Sequence, residues 1–209
     1  MAATWDARYG AEPAAFYYGT APNDFLREQE PRLPRGARVL CLAEGEGRNA
    51  VFLAQCGHRV SSVDLSPVGV QKTLALAAQG GVAVEAVVGD LADFAIEPAA
   101  FDAIVSIWAH VPHALRREVH AKVAAGLKPG GVFIFESYSP RQLELVRAGT
   151  SKGGPGSADL LATLADVAAE LAGLAVSDAA ERDRDVQEGV GHAGVSAVTQ
   201  LVATKQTLE

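Results

Sequence analysis

The chain has 209 residues, of which 49% are hydrophobic and 21% are charged, a composition typical of one folded domain with a sizeable core. Its net charge of −7 and its lack of a Lys/Arg cluster argue against a nucleic-acid partner, since binding to phosphates needs concentrated positive charge. No apolar run approaches the ~18 residues of a membrane span. The N-terminal residues also lack the charged start and apolar core of a secretion signal. We therefore expect a cytoplasmic protein without a membrane partner.

The first 35 residues carry a large share of the aromatic side chains, namely Trp5, Tyr9, Phe16, Tyr17, Tyr18 and Phe25. A short helix is predicted from Asn23, as its N-cap, to about Glu30. Two interpretations of this N-terminal arm stay open. It packs its aromatic rings on the domain surface, or it forms a lid in which Tyr17, Tyr18 or Phe25 covers a bound ligand.

From Arg38 onward, predicted strands and helices alternate. The predicted strands cover 39–42, 58–63, 82–88, 101–107 and 132–135. The predicted helices cover 49–56 and 66–79, the second with Ser66 as N-cap and Pro67 at its first helical position. A further helix opens at Pro112, and residues 128–131 form a turn. Strands that alternate with helices indicate a mainly parallel sheet with helices on both faces. The two cysteines, Cys41 and Cys56, fit neither a metal site nor a disulfide scaffold and are expected to be core residues.

After residue 148 the pattern changes. Residues 149–157 have the composition of a mobile or ligand-responsive loop, and a helix is predicted from Ser157 to about Leu171. Two strands, 174–182 and 195–204, are joined by a predicted loop at 183–194, and they are antiparallel because no helix separates them. The prediction is a doubly wound, seven-stranded, Rossmann-like α/β sheet, mostly parallel with an antiparallel last strand. The arm spans 1–35 and the domain 36–207, and residues 208–209 resemble an expression-tag remnant.

A glycine-rich loop separates the first strand from the first helix, which is the arrangement of a nucleotide-binding turn. Gly45 and Gly47 allow a ligand to approach the backbone, and the helix start behind them presents free amide groups. Glu44 and Glu46 flank Gly45, and their carboxylates repel a pyrophosphate but attract a cation. We predict that Glu44 pairs with a ligand ammonium, and we interpret Glu46 as a solvated loop charge.

Carboxylates also close the second and third strands. Asp64 follows Gly45 by 19 residues, a spacing that suits hydrogen bonds to ribose hydroxyls and that NAD enzymes also use. Its alternative role is a negative charge near the start of the next helix. Asp90 can accept a hydrogen bond from an adenine amino group, with Leu91 stacking nearby. Three acids at three consecutive strand ends therefore predict one ligand site.

The segment after the fourth strand is expected to meet a second substrate. His110 is placed there to act as a base or to orient an acceptor, and its alternative role is to cap the helix that opens at Pro112. We interpret His58, His113 and His120 as surface or helix residues.

These motifs resemble class I S-adenosylmethionine-dependent methyltransferases in order and spacing: 44–47, Asp64, 89–91, 101–106 and 127–131. The resemblance covers about residues 16–204. Residues 45–54 are most similar to small bacterial enzymes of the tellurite-resistance and thiopurine methyltransferase type, and residues 18–26 and 153–155 resemble one uncharacterised branch of that group.

The resemblance implies S-adenosylmethionine as cofactor and a role for each strand end. Glu44, with the backbone of Gly45 and Gly47, would hold the methionine end, Asp64 the ribose and the Asp90–Leu91 pair the adenine. This cofactor has a sulfonium and an ammonium but no phosphate, so a negatively charged site suits it. The predicted cofactor-binding set is completed by Asn49, Leu65 and Ile107. No metal is predicted.

One position departs from the tellurite-type pattern, in which a His-Arg pair before the last strand is proposed to assist the acceptor. Here His192 stands at the comparable position, but Ala193 follows it, and Arg182 and Arg184 are the candidates to replace the arginine. The departure weakens the case for tellurite. His110 and His192 are therefore the candidate catalytic residues.

The sequence thus predicts a methyltransferase that acts on a small molecule, with a thiol or a metalloid oxyanion as possible acceptor. Transfer by in-line displacement depends mainly on the placement of acceptor and methyl group and on the exclusion of water. A cofactor-binding sensor or partner subunit without catalysis is the first alternative. An NAD-dependent oxidoreductase is the second, and it is opposed by Glu44 and Glu46 at the phosphate position and by the antiparallel last strands.

Overall fold

A computed structural model describes residues 2–12 and 14–207, so the predicted tag remnant at 208–209 lies outside the described residues. The fold is built on one mixed, eight-stranded sheet. Its strands are β1 (Arg38–Leu42), β2 (Arg59–Asp64), β3 (Val84–Val88), β4 (Phe101–Ile107), β5 (Leu127–Tyr138), β6 (Ser151–Lys152), β7 (Leu174–Glu188) and β8 (His192–Lys205).

Helices cover the sheet and extend to the N-terminal arm. They are α1 (Ala2–Gly10), α2 (Asp24–Gln29), α3 (Arg48–Gln55), α4 (Pro67–Gln79), α5 (His113–Gly126), α6 (Gln142–Arg147) and α7 (Leu164–Glu170), with short 3-10 turns at Glu30–Arg32 and Ala158–Leu160. Among the described residues, no helix has the length and apolarity needed to cross a membrane.

The strand order is β3-β2-β1-β4-β5-β8-β6, and β7 also pairs with β8. Strands β1 to β5 pair in parallel, whereas β8 is antiparallel to β5, β6 and β7. Apolar side chains alternate between the two faces of the sheet: Val39 and Cys41 belong to one buried cluster, and Leu40 and Leu42 belong to the other. The order reverses between β1 and β4, which places a ligand crevice beyond their carboxyl ends.

Several local predictions are confirmed. The fourth strand has the predicted bounds. The side chain of Asn23 caps α2 by accepting a hydrogen bond from the Leu26 amide at 2.9 Å. Ser66 caps α4 in the same way through the Gly69 amide at 3.0 Å. The predicted α/β class and mostly parallel sheet are also correct.

The predicted loop at 183–194 is wrong, because these residues extend a long hairpin. Strand β7 continues to Glu188 and β8 begins at His192. Most residues of β7 are exposed or half-buried, so the polar side chains that suggested a loop are compatible with a strand that has one face toward solvent. The short strand β6, inside the predicted loop at 149–157, brings the number of strands to eight.

The helix predicted from Ser157 to about Leu171 is also wrong at its first half. Residues 161–163 are extended between the 3-10 turn and α7. Tertiary hydrogen bonds take the backbone groups that a helix would have used: the Ala162 amide donates to the Tyr138 carbonyl at 3.0 Å, and Arg116 donates to the Leu161 carbonyl at 3.0 Å. The predicted turn at 128–131 lies within β5, where the register with β4 is irregular.

Two interpretations of burial need correction. Cys41 is a core residue, but Cys56 is exposed at the end of α3. His58 is buried, lies outside the helices and is 2.9 Å from a Glu30 carboxylate oxygen, so it is not a surface residue. His113 and His120 are helix residues, as interpreted, because both belong to α5.

The N-terminal arm docks on the domain through hydrogen bonds as well as aromatic rings. Asp6 accepts a hydrogen bond from the Ser66 hydroxyl at the start of α4. Lys72, in α4, donates to the Ala15 carbonyl at 2.6 Å. Phe25 is buried within the main core, so it does not cover the ligand crevice. This last point corrects the lid interpretation for that residue.

Candidate cofactor and acceptor site

One cavity lies at the carboxyl ends of β1 to β4, with an empty space of about 1010 Å³ that includes its open mouth. This position is where open α/β sheets bind their ligands. The predicted site residues that line it are Glu44, Gly45, Asn49, Asp64, Leu65, Asp90, Leu91, Ile107, His110 and His192. Gly47 is not part of the lining, and the functional roles of all these residues stay predictions.

Gly45 and Gly47 are required by the shape of the loop, because both have positive φ angles, of 68° and 93°. A Cβ atom at Gly47 would lie 2.7 Å from the Cα atom of Thr73 in α4, so this glycine allows the loop to pack against that helix. A Cβ atom at Gly45 would lie 2.8 Å from the Tyr9 hydroxyl of the arm. The glycine loop therefore packs against α4 on one side and against the N-terminal arm on the other.

The carboxylate of Glu44 lies at the N-terminus of α3. Its Oε1 atom accepts hydrogen bonds from the amides of Asn49 at 2.9 Å and Ala50 at 2.8 Å. Burial nevertheless raises the pKa of Glu44 to about 7, although these hydrogen bonds and Arg48 oppose the rise. A nearby cation would stabilise the ionised carboxylate, so this side chain suits a positively charged ligand.

Glu46 is not a solvated charge, which corrects the interpretation from sequence. Its side chain is buried and pairs with Lys72 at 2.9 Å. It also accepts a hydrogen bond from the Tyr17 amide at 2.7 Å. Glu46 therefore ties the glycine loop to α4 and to the arm, and its charge is compensated within the protein.

Asp64 joins the loop to the ends of β2 and α4. Its Oδ2 atom accepts from the Gly45 amide and its Oδ1 atom from the Ser66 amide, both at 2.8 Å. Burial raises the pKa of Asp64, and the two backbone hydrogen bonds act in the opposite direction. Each carboxylate oxygen keeps a lone pair, so the side chain can still accept hydrogen bonds from a ligand.

The loop after β3 presents Asp90, which is exposed, and Leu91, which is buried. Lys122 in α5 holds this loop by donating to the carbonyl groups of Leu91, Ala92 and Phe94 at 3.0, 2.7 and 3.2 Å. Sequence reasoning missed Lys122, since nothing in its helix indicates a partner about 30 residues away.

The opposite side of the cavity begins at Trp108, directly after β4. Its φ angle of 59° is rare for a bulky residue, and such strain is common at functional sites. The indole Nε1 atom donates to Glu188 at 2.7 Å, and the ring stacks on Tyr138 with 4.4 Å between centroids. The surrounding contacts thus hold Trp108 in one position.

Glu188, at the end of β7, accepts hydrogen bonds from four residues on this side of the cavity. Burial alone would raise its pKa, but the hydrogen bond with His192 and the charge of Arg48 outweigh burial and lower the pKa to about 2. Its carboxylate accepts hydrogen bonds from Asn23 at 2.9 Å, Arg48 at 2.8 Å, Trp108 at 2.7 Å and His192 at 3.0 Å. Sequence reasoning missed Glu188, since its partners come from distant segments.

His192 is the first residue of β8, not part of a loop as predicted. Its Nδ1 atom lies 3.0 Å from a Glu188 oxygen. Its ring centroid lies 4.6 Å from that of Tyr18 and 5.1 Å from that of Trp108. Burial lowers the pKa of His192, and Glu188 acts in the opposite direction. The imidazole is thus confined by aromatic rings and one carboxylate.

His110 lines the cavity but does not cap α5, whose N-terminus has no side-chain cap. Its Nδ1 atom lies 3.4 Å from the Ser137 hydroxyl, and its buried Nε2 atom has no hydrogen-bond partner. Burial, and then the neighbouring His192, lower the pKa of His110 to about 3, so this imidazole is neutral near pH 7.

Arg182 and Arg184, the candidates to replace the arginine of the His-Arg pair, do not line the cavity. Arg184 is committed to Glu136, which accepts from its Nε and Nη2 atoms at 2.8 and 2.9 Å. Arg182 is exposed on β7. In the ranges 2–12 and 14–207, no cluster of His, Cys, Asp or Glu is arranged to hold a metal ion.

Comparison with known proteins supports the fold and the domain type. Residues 39–131 match the family model described as a methyltransferase domain. No curated protein sequence matches the chain.

Three solved structures illustrate the fold. One accompanies the conversion of a disulfide bond into a thioacetal group in echinomycin biosynthesis; it has a TM-score of 0.79 and 20% identity, and the match covers 99% of this chain and 92% of that one. An S-adenosylmethionine-dependent methyltransferase from Methanosarcina mazei has a TM-score of 0.67 and 16% identity, with 90% and 100% covered. The 4+2 cyclase SpnF has a TM-score of 0.70 and 17% identity, with 99% and 93% covered.

These structural similarities establish the fold. The fold alone does not specify a reaction, since one of the three structures is a cyclase. None of these findings bears on the tellurite-resistance or thiopurine subtype. The domain match covers residues 39–131, which is less than half of the chain, and the solved structures share its Rossmann-like α/β fold.

Proposed function

We propose that this protein is an S-adenosylmethionine-dependent methyltransferase that acts on a small-molecule acceptor. One observation supports it most strongly: Glu44, Asp64 and Asp90, from three consecutive strand ends, line the same cavity. Within the described part of the chain, none of the three forms an ion pair, whereas Glu46 beside them is paired with Lys72. The cavity therefore has uncompensated negative charge where the ligand is expected.

These residues fit a ligand that has an adenosyl group, a positive charge and no phosphate. The raised pKa of Glu44, caused by burial, is the property of a carboxyl group that lacks a cationic partner. Glu44 would hold the ammonium, Asp64 the ribose hydroxyls and the loop at Asp90 the adenine. When bound, S-adenosylmethionine supplies an electrophilic methyl group on sulfur.

An NAD cofactor fits the site less well. Its pyrophosphate would lie near Glu44 without a free cation, because Arg48 is paired with Glu188 at 2.8 Å. The antiparallel β8 beside β5 also differs from the strand order 3-2-1-4-5-6 of dinucleotide-binding folds.

The acceptor side is compatible with a small molecule rather than a polymer. It is lined by Tyr18 of the arm and His192 of β8, whose ring centroids are 4.6 Å apart. Trp5 and Tyr9 of the arm also line the cavity. The loop at 149–157 packs against His192, since a Cβ atom at Gly153 would lie 2.6 Å from the His192 ring. We propose that the arm and this loop restrict access to the site. The echinomycin-related neighbour supports a small-molecule acceptor by analogy.

A cofactor-binding protein without methyl transfer is the second candidate, and the similarity to a cyclase is the observation that favours it. The experiment is calorimetric titration with S-adenosylhomocysteine and, separately, with NAD, followed by a methyl-transfer screen on the same preparation. We expect micromolar binding of S-adenosylhomocysteine, no binding of NAD and turnover with a small molecule. Binding without turnover on any acceptor would favour the second candidate, and binding of NAD alone would reject both.

A further inference from the structure

We propose that the acceptor is a neutral molecule of the phenol class, and that Nε2 of His192 takes the proton from its hydroxyl group while Glu188 positions that imidazole. This inference rests on the proposed methyltransferase function and adds an acceptor class and a positioning residue to it. It follows from the hydrogen bonds, the charges and the aromatic rings on the acceptor side of the cavity.

The hydrogen bond between Glu188 and His192 determines which imidazole nitrogen can accept a proton. An ionised carboxylate can accept but cannot donate, so Nδ1 of His192 must carry the hydrogen at the 3.0 Å contact. The lone pair of the neutral ring is then on Nε2. This arrangement prepares Nε2 as a base, as other imidazoles are oriented by a carboxylate partner.

Glu188 is itself fixed, which is needed if it is to orient another group. Arg48 and Trp108 donate to the same Oε2 atom as His192, and Asn23 donates to Oε1. These donors keep the carboxylate ionised, and burial keeps the imidazole neutral. His192 is therefore in its base form near neutral pH.

The charges around the cavity argue against an oxyanion or a thiolate as acceptor. Arg48 and Arg184 are committed to carboxylates, to Glu188 and Glu136, each at 2.8 Å. Arg8 donates to the Tyr18 hydroxyl at 3.0 Å but does not line the cavity. An anionic acceptor would thus meet uncompensated carboxylates and no free cation among the described lining residues. A neutral acceptor avoids this repulsion, but it must lose a proton as it reacts.

Aromatic rings indicate that the acceptor itself contains a ring. Tyr18 and Trp108 line the cavity beside His192, with their centroids 4.6 and 5.1 Å from its own. Planar rings pack well on such surfaces in stacked or edge-to-face arrangements.

The step balances without another reactant. The acceptor oxygen forms a bond to the methyl carbon, the bond from that carbon to sulfur breaks with its electron pair on sulfur, and the hydroxyl proton passes to Nε2 of His192. The products are a methyl ether, S-adenosylhomocysteine and an imidazolium, which then releases its proton to solvent.

The first test compares two phenols of different acidity at pH 8. 4-Methylphenol is not ionised there and needs a base, whereas 4-nitrophenol is already ionised. The anionic 4-nitrophenolate should bind more weakly to this cavity, so each phenol is compared only through its ratio of variant to wild-type rate. We expect His192→Gln to lose at least ~100-fold in methyl transfer to 4-methylphenol and less than ~10-fold with 4-nitrophenol, since a positioned base contributes about 10²–10⁴-fold. His113→Gln, a histidine outside the cavity lining, is the matched control.

Equal losses on the two phenols would overturn the role of His192. If the wild-type protein binds S-adenosylhomocysteine but transfers methyl groups to thiols or oxyanions and to no phenol, the acceptor class is wrong while the proposed function stands. If it does not bind S-adenosylhomocysteine, the proposed function itself fails.

A second test does not depend on turnover. Nitrogen-15 NMR of the imidazole groups at pH 7.5 should show His192 as the Nδ1–H tautomer in the wild type and as a mixture in Glu188→Gln, because an amide can donate as well as accept. The same variant should transfer about tenfold more slowly to 4-methylphenol and be little changed with 4-nitrophenol. Glu181→Gln, on the exposed part of β7, is the control. An Nε2–H tautomer in the wild type would contradict the proposal.

Discussion

The two sides of the cavity treat charge in opposite ways. On the side proposed for the cofactor, burial raises the pKa values of Glu44 and Asp64, so their charges are poorly compensated. On the acceptor side, Glu136 and Glu188 are buried as well, but arginines and amide donors compensate both. The carboxylates of the first side have no cationic partner, whereas those of the second side are paired within the protein and lie beside neutral imidazoles. Stability and pH dependence should therefore respond differently to changes on the two sides.

The largest effect is expected from Asp64→Ala, which should weaken S-adenosylhomocysteine binding by 100-fold or more. Two hydrogen bonds from ribose hydroxyls to a carboxylate are together worth about 3–6 kcal/mol. Calorimetry measures the loss, and a melting temperature close to that of the wild type shows an intact fold. Asp93→Ala, an exposed carboxylate in the loop that follows Asp90, is the control. Unchanged affinity in Asp64→Ala would remove Asp64 from the site.

The next effect concerns stability on the acceptor side. Arg184→Met leaves the fully buried Glu136 without its cation, and breaking a buried ion pair in this way costs about 3–5 kcal/mol. For a chain of this size the melting temperature should fall by about 6–20 °C. Arg182→Met, exposed on the same strand, should change it very little. Equal melting temperatures for the two variants would show that the network does not stabilise the fold.

A smaller effect of opposite sign is expected at Glu44. Its pKa is raised to about 7, so the folded state binds an extra proton between about pH 4.5 and 7, and stability falls as the pH rises through this range. Glu44→Gln should therefore stabilise the protein by about 1–3 kcal/mol at pH 8 and leave it unchanged at pH 4. Thermal unfolding at both pH values measures this.

Glu188 provides the contrast in pH dependence. Its pKa is lowered to about 2, so its contribution to stability is present above about pH 4.5 and is lost as the pH falls toward 2.

In binding, the wild type should release about half a proton at pH 7 when an ammonium ligand pairs with Glu44, because a group with a pKa near 7 is half protonated there. Glu44→Gln should release none. Proton release that persists in this variant, measured by calorimetry in two buffers, would assign it to another group.

The smallest effect is expected at the arm. Tyr9 lies over Gly45 and lines the cavity, so Tyr9→Ala should speed the dissociation of S-adenosylhomocysteine several-fold by opening one wall. Tyr17→Ala changes a neighbouring ring of the arm that does not line the cavity and should leave the rate unchanged. Stopped-flow fluorescence measures both rates, and equal rates would mean that the arm does not restrict exit.

The local fold around Glu44, Asp64 and Asp90 could be predicted from the sequence, because its determinants are local. A strand, a glycine loop and a helix follow one another within residues 38–55, and the acids recur at the next two strand ends. Ser66 and Asn23 were recognisable as N-caps from their own neighbours. Such short-range patterns predict the structure correctly where the local preference of the sequence agrees with the tertiary fold.

The acceptor side could not be predicted in the same way. Glu188 contacts Asn23 and Arg48, which lie 165 and 140 positions away, and no spacing rule connects them. The polar residues of β7 resemble a loop until β8 is placed beside them. Glu46 was misjudged because its partner Lys72 comes from another helix. In each case the determining contact is made only in the folded protein.

The crystal structure of the complex with S-adenosylhomocysteine tests the central claim most directly. We predict the ligand amino group at Glu44, the ribose hydroxyls at Asp64 and the adenine at the loop of Asp90 and Leu91, with the sulfur facing the side of His192. A ligand bound in the reverse direction, with its adenine at Glu44, or a ligand bound outside this cavity would contradict the account.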